Sequence, residues 1–112
     1  MYNALNDLRD LPQSKGARII SFDNAELRPG IVNETYMLIV NGMKPYITME
    51  VSLVPLIYVQ KPDFWGVEVV GIQAGIGLPA AGPYTATLDV THFMGHEGIE
   101  VIGSNKTQKL KP

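Results

Sequence analysis

Residues 44–73, KPYITMEVSLVPLIYVQKPDFWGVEVVGIQ, decide the fold. From residue 46 to 53 the chain alternates: Ile47, Met49, Val51 and Leu53 share one side, and Thr48, Glu50 and Ser52 share the other. That period of two is the pattern of a half-buried antiparallel strand. Pro55 removes a ladder donor, and Leu56, Ile57, Tyr58 and Val59 after it are apolar on both faces. With no Gly, Asn or Asp beside Pro55, this reads as a bend or bulge at a sheet edge. The reversal follows at Lys61-Pro62-Asp63-Phe64, and residues 65–73 form the partner strand, with Trp65, Val67 and Val69 on one face.

Working outward, the same signals repeat. Upstream, Asn41-Gly42 sits between apolar runs, the strongest short-range hairpin signal because both residues tolerate the φ > 0 of a type I′ turn. It predicts that a strand over 35–40 pairs with the start of the opening stretch. Residues 17–22 predict a first strand, and 23–34, with Arg28-Pro29-Gly30, a turn-bearing connection. Residues 3–11, with Asn3 as N-cap and Leu5, Leu8 and Leu11 on one side, predict a short N-terminal helix stopped by Pro12. Downstream, Tyr84, Ala86, Leu88 and Val90 alternate with Thr85, Thr87, Asp89 and Thr91, and residues 99–103 form a last strand. The tail SNKTQKLKP is polar and basic, which predicts disorder.

Strands joined by short turns with no helix between them predict an all-β fold: an antiparallel β-sandwich or small barrel of about six to seven strands. The chain then divides into an N-terminal segment (1–16), a single β domain (17–103) and a flexible basic tail (104–112). Tyr84, which opens a strand directly after a Gly-Pro loop, resembles the tyrosine corner of immunoglobulin-like domains in position, with Ala86 where their cysteine would stand.

Composition narrows the function classes. At 112 residues the chain is one domain, large enough to fold without a metal or disulfide. A net charge of -2 argues against nucleic-acid binding, which needs a basic face. Without cysteine there is no disulfide framework, thiolate metal site or cysteine nucleophile. No stretch reaches the 18 or more apolar residues of a membrane helix and no secretory signal opens the sequence, so the expectation is a cytoplasmic protein without a membrane partner. Only 18% of residues are charged, below the roughly 25% of an average domain, so part of the surface is expected to be covered by a partner.

Three stretches bear on chemistry. Gly75-Ile-Gly77-Leu-Pro-Ala80 matches a dinucleotide-binding fingerprint, but Pro79, Gly82 and Pro83 leave no room for the helix that would receive the pyrophosphate. His92 and His96, with Asp89 and Glu97 nearby, have the composition of a zinc-type ligand set, although a strand end and a loop hold them. Asp63, Phe64 and Trp65 sit at a turn beside Tyr58, and aromatics in a loop anchor partners at low entropic cost. Strand parity gathers loops 23–34, 61–64 and 93–97 at one end, with Asp23, Glu26, Asp63, Phe64, Trp65, His92, His96 and Glu97. No serine is paired with a His-Asp set, and nothing singles out a carboxylate pair among the eleven acids. The sequence therefore predicts a non-enzymatic module, free of cofactors, that binds a protein or itself through a sheet edge or the aromatic loop end. A metal-binding protein or metal-dependent enzyme using the two histidines is the alternative.

Overall fold

A computed structural model of the chain describes residues 16–73, 78 and 80–112. The predicted helix over 3–11 and most of the Gly75-to-Ala80 motif lie outside the described residues. Eight strands follow in order: β1 Arg18–Ile19, β2 Asn24–Pro29, β3 Tyr36–Lys44, β4 Glu50–Pro55, β5 Phe64–Ile72, β6 Gly82–Asp89, β7 Gly98–Ile102 and β8 Thr107–Leu110. The described residues are all-β, in two sheets. No helix among the described residues is long and apolar enough to cross a membrane.

The first sheet is built on β5, the second half of the opening stretch. β4 pairs antiparallel along one edge of β5. The other edge is shared: β7 runs parallel to the first half, Phe64↔Gly98 to Glu68↔Ile102, and β1 antiparallel to the second. β8 lies outside β7. The second sheet has the order β2-β3-β6 and is antiparallel throughout. Leu38, Val40 and Ala86 of this sheet meet Leu53, Val67, Val69, Ile99 and Val101 of the other in one buried core, the arrangement of a β-sandwich. Each large apolar side chain buried there contributes roughly 1.5–3 kcal/mol. At the sides, β4 lies against β6 and β2 faces β8.

The alternation read from the sequence is kept where it was clearest. Met49 and Leu53 are buried while Glu50, Ser52 and Val54 are exposed; Val67 and Val69 are fully buried; Tyr84, Ala86 and Val90 point inward. Pro55 ends β4 at a sheet edge, where its missing N–H leaves no unpaired partner.

Four expectations are overturned. Asn41-Gly42 is not a turn: both residues lie inside β3, and neither has positive φ. Gly42 is there for a close approach, since a Cβ would stand 3.0 Å from the Phe22 Cα, 3.0 Å from the Tyr84 hydroxyl and 3.1 Å from the Asp23 nitrogen. β3 pairs with β2 and β6, and β4 belongs to the other sheet. Second, the strand predicted over 17–22 shrinks to Arg18–Ile19, while Asn24–Pro29, expected in a connection, is a strand. The reversal is at 30–35, where the Gly30 N–H donates to the Thr35 carbonyl at 2.8 Å and Glu34 takes a left-handed φ of 66°. Third, the tail expected to be flexible carries β8. Its neighbourhood is tied to β2 by side chains: Asn105 accepts from the Phe22 N–H and donates to the Phe22 carbonyl, Lys106 donates to the Asp23 carbonyl, and Gln108 to the Ala25 carbonyl. Fourth, the β5–β7 pair is parallel, because the connection 90–97 crosses from one sheet to the other at a single end.

Tyr84 also departs from a tyrosine corner. Its hydroxyl donates to the Ser21 carbonyl at 2.7 Å, 63 positions away, rather than to a carbonyl a few residues upstream.

Candidate functional site

Strand directions place the connections 30–35, 56–63 and 90–97 together at one end, here the loop end, and 45–49 and 103–106 at the far end. Strand parity places the tips of these loops correctly, but Asp23 lies just before β2 at the far end and Glu26 along that strand. All three connections at the loop end are among the described residues.

The aromatic turn is built around the end of the β4–β5 ladder. Beyond Pro55 the Leu56 N–H still donates to the Gly66 carbonyl, at 2.9 Å. The reciprocal bond is replaced by two side chains: the Trp65 indole N–H donates to the Leu56 carbonyl at 2.9 Å, and the Gly66 N–H donates to the Tyr58 hydroxyl at 3.1 Å. Tyr58 thereby folds over Gly66, where a Cβ would meet its oxygen at 2.9 Å and Leu56 Cδ1 at 2.8 Å. Trp65 packs edge-on between Tyr58, centroids 5.2 Å apart, and Phe93, 5.8 Å apart. Phe64 lies under the Lys109 ammonium, 4.9 Å from its ring centre. Three of the four residues expected to bind a partner are thus engaged in their own fold, and half-buried. Asp63 offers an exposed carboxylate, while its carbonyl accepts from the Glu97 and Gly98 N–H groups at 2.7 and 3.2 Å.

The histidine loop is fastened to that turn. Besides the Asp63 bonds, the His96 N–H donates to the Pro62 carbonyl at 2.9 Å. Gly95 packs directly on the Pro62-Asp63 backbone, where a Cβ has no room. Both histidine side chains are exposed. The four residues of the predicted ligand set divide into two groups. Asp89 accepts from the Thr91 hydroxyl at 2.6 Å and the Thr91 N–H at 3.0 Å, which together hold its carboxyl below the usual carboxylate range, with His92 a smaller influence in the same direction. Glu97 pairs with Lys111 at 3.6 Å. Among the described residues no three of His, Asp and Glu come close enough to hold one ion. His92, His96, Asp89 and Glu97 therefore do not form a ready metal site, because convergence depended on a loop whose backbone is committed to residues 62 and 63.

The loop end presents something else. Ile57, Val59 and Ile31 have relative exposures of 97%, 104% and 105%, and Val32 of 68%. Full exposure means that the side chains of Ile31, Ile57 and Val59 touch almost nothing of their own molecule. They contribute nothing to the core, and water gains nothing by solvating them. The sequence held a signal for both pairs: Ile57 and Val59 stand in the run that is apolar on both faces after Pro55, and Ile31-Val32 between the turn formers Gly30 and Asn33.

Comparison of the chain with protein-family models, with curated proteins and with solved structures finds no match.

Proposed function

We propose that this protein is a non-enzymatic binding module that acts through the loop end, by contact with another protein or with itself. The observation that carries the reading is the set of aliphatic side chains at Ile31, Val32, Ile57 and Val59, displayed on two loops at the same end. Partner contacts gain most from apolar groups that leave water completely on binding. The 56–63 loop is held in shape by the third connection and by the Trp65 and Tyr58 bonds, and the 30–35 loop by its own Gly30–Thr35 closure, so little ordering cost remains at the moment of contact. The reading includes an immunoglobulin-like scaffold, a class that gathers binding loops at one end of two sheets. A sheet edge is a second route for contact. β4 is less suited to it, since Pro55 lacks a donor and β6 lies alongside.

The test is light scattering over a concentration series together with affinity capture, on the wild type and on Ile57→Ser/Val59→Ser. The reading expects either a mass above the monomer or a captured protein, in each case lost in the variant. A monomer at every concentration with no variant-sensitive capture contradicts it.

A further inference from the structure

We propose that the partner is a second copy of this chain, bound head to tail, with the loop-end aliphatic side chains of one molecule seated in a groove at the far end of the next. The inference rests on the loop-end reading and adds the occupant and its geometry.

Apart from Val54 on β4, the large exposed apolar side chains among the described residues fall at the two ends and differ in kind. At the loop end Ile31, Ile57 and Val59 are fully exposed, so they project, and Val32 beside them is about two-thirds exposed. At the far end Ile19, Met43 and Ile47 are 36%, 50% and 51% exposed, so they line a surface and do not project from it. Ile19 and Met43, though not Ile47, help to line a groove of about 440 Å³ whose walls are mixed: Ile20 and Pro45 are apolar, Ser21 and Ser104 are polar, and Arg18 and Lys44 add positive charge. That volume lies in the range that accepts a small ligand or a few side chains. The molecule therefore carries projecting aliphatic side chains, or knobs, at one end and a recess at the other.

Charge follows the same division. The loop end has Glu34, Asp63 and Asp89 with Lys61; Glu97 is paired with Lys111, Arg28 near by with Glu26, and Lys109, over the Phe64 ring, stands opposite Glu100. Acids predominate there. At the far end Arg18, Lys44 and Lys106 outnumber the acids Asp23 and Glu50 among the described residues. Unlike ends attract and like ends repel, which favours head-to-tail contact over a symmetric pairing of loop ends. A heterologous contact of this kind does not stop at two copies unless the rotation closes a ring.

Sedimentation velocity on complementary variants tests the proposal. Ile57→Ser/Val59→Ser removes knobs that touch nothing, so its fold is unaffected. Met43→Glu, with Arg18→Glu as an independent second variant, spoils the groove at exposed positions. The wild type is expected to grow beyond a dimer as concentration rises. Loss of two aliphatic side chains should weaken association by about a hundredfold or more, and each variant alone should be monomeric. An equal mixture of a knob variant and a groove variant has one intact knob and one intact groove, so it should form dimers and nothing larger. A wild type that stops at a dimer, or a mixture that stays monomeric while the wild type associates, overturns head-to-tail contact and leaves the loop-end reading standing if the knob variant is monomeric. A groove variant that associates like the wild type overturns it equally. A wild type that is monomeric throughout also overturns it. If that monomer pellets with phosphatidylcholine vesicles and the knob variant does not, the knobs meet a bilayer instead.

Discussion

Single residues here do work that their type alone does not announce. Tyr84 is a buried phenol whose hydroxyl ties β6 to the Ser21 carbonyl in the other half of the molecule. Tyr84→Phe leaves that carbonyl without its donor and is expected to cost about 1–3 kcal/mol, read as a lower midpoint in urea unfolding. The phenol pKa is pushed up to about 12, first by burial and then by the Asp23 charge. Since the folded pKa lies above the unfolded value near 10, this neutral phenol contributes its stability fully below about pH 10. That contribution is lost as pH rises from about 10 to about 12. Absorbance titration should show the Tyr84 phenol ionising late, toward pH 12. Tyr58→Phe removes the acceptor of the Gly66 N–H, with an expected loss of the same order. Gly42→Ala forces a methyl against the Phe22 and Asp23 backbone, which cannot yield as a flexible side chain would; a loss of about 1–3 kcal/mol is expected in the same assay. For the histidines, stoichiometric zinc is expected to leave the melting temperature unchanged, because Asp89 and Glu97 are turned to other partners; a rise of several degrees would restore the metal reading.

At the scale of elements, what the sequence discloses depends on where each strand finds its partner. β4 and β6 alternate apolar and polar residues because each buries one face, and in β5 Val67 and Val69 share the inward face, so these inward residues are legible in the sequence. β2 and β8 were not. In β8, only Gln108 and Leu110 face the interior, and a four-residue polar run carries no apolar period. Its place is set by β7 on one side and by side-chain bonds from Asn105, Lys106 and Gln108 to the β2 strand and its approach on the other, contacts that span 83 positions. Local turn chemistry has the opposite failing: Asn41-Gly42 carries a strong hairpin signal, and the tertiary need for a missing Cβ at 42 is what explains the glycine. Asn105 is the most exposed test of this account. Asn105→Ala should strip both bonds from the Phe22 backbone and lower stability by about 1–3 kcal/mol, with faster hydrogen exchange at Phe22 and across β8. A variant as stable and as protected as the wild type would return the C-terminal strand to the status of a loosely attached tail.

For the whole molecule, the sequence conveyed the gathering of loops at one end but not which of their residues stay free. Aromatics were the natural candidates for a partner because they bring large area at small entropic cost. In the folded chain Trp65 and Tyr58 are used to finish the β4–β5 ladder, and the adjacent aliphatics Ile57 and Val59 face water in their place. Parity along a chain distinguishes faces; it does not distinguish a side chain folded back on its own strand from one that projects. Because Ile31, Ile57 and Val59 are fully exposed, Ile57→Ser/Val59→Ser and Ile31→Ser should leave unfolding free energy within about 0.5 kcal/mol of the wild type while changing what the protein binds. The most direct test is a two-dimensional amide NMR dilution series on the wild type. Head-to-tail contact predicts concentration-dependent shifts in two clusters at opposite ends, around residues 31–32 and 57–59 and around 18–21 and 43–45, both absent in Ile57→Ser/Val59→Ser. Shifts along β2 or β4, or none at any concentration, would contradict it.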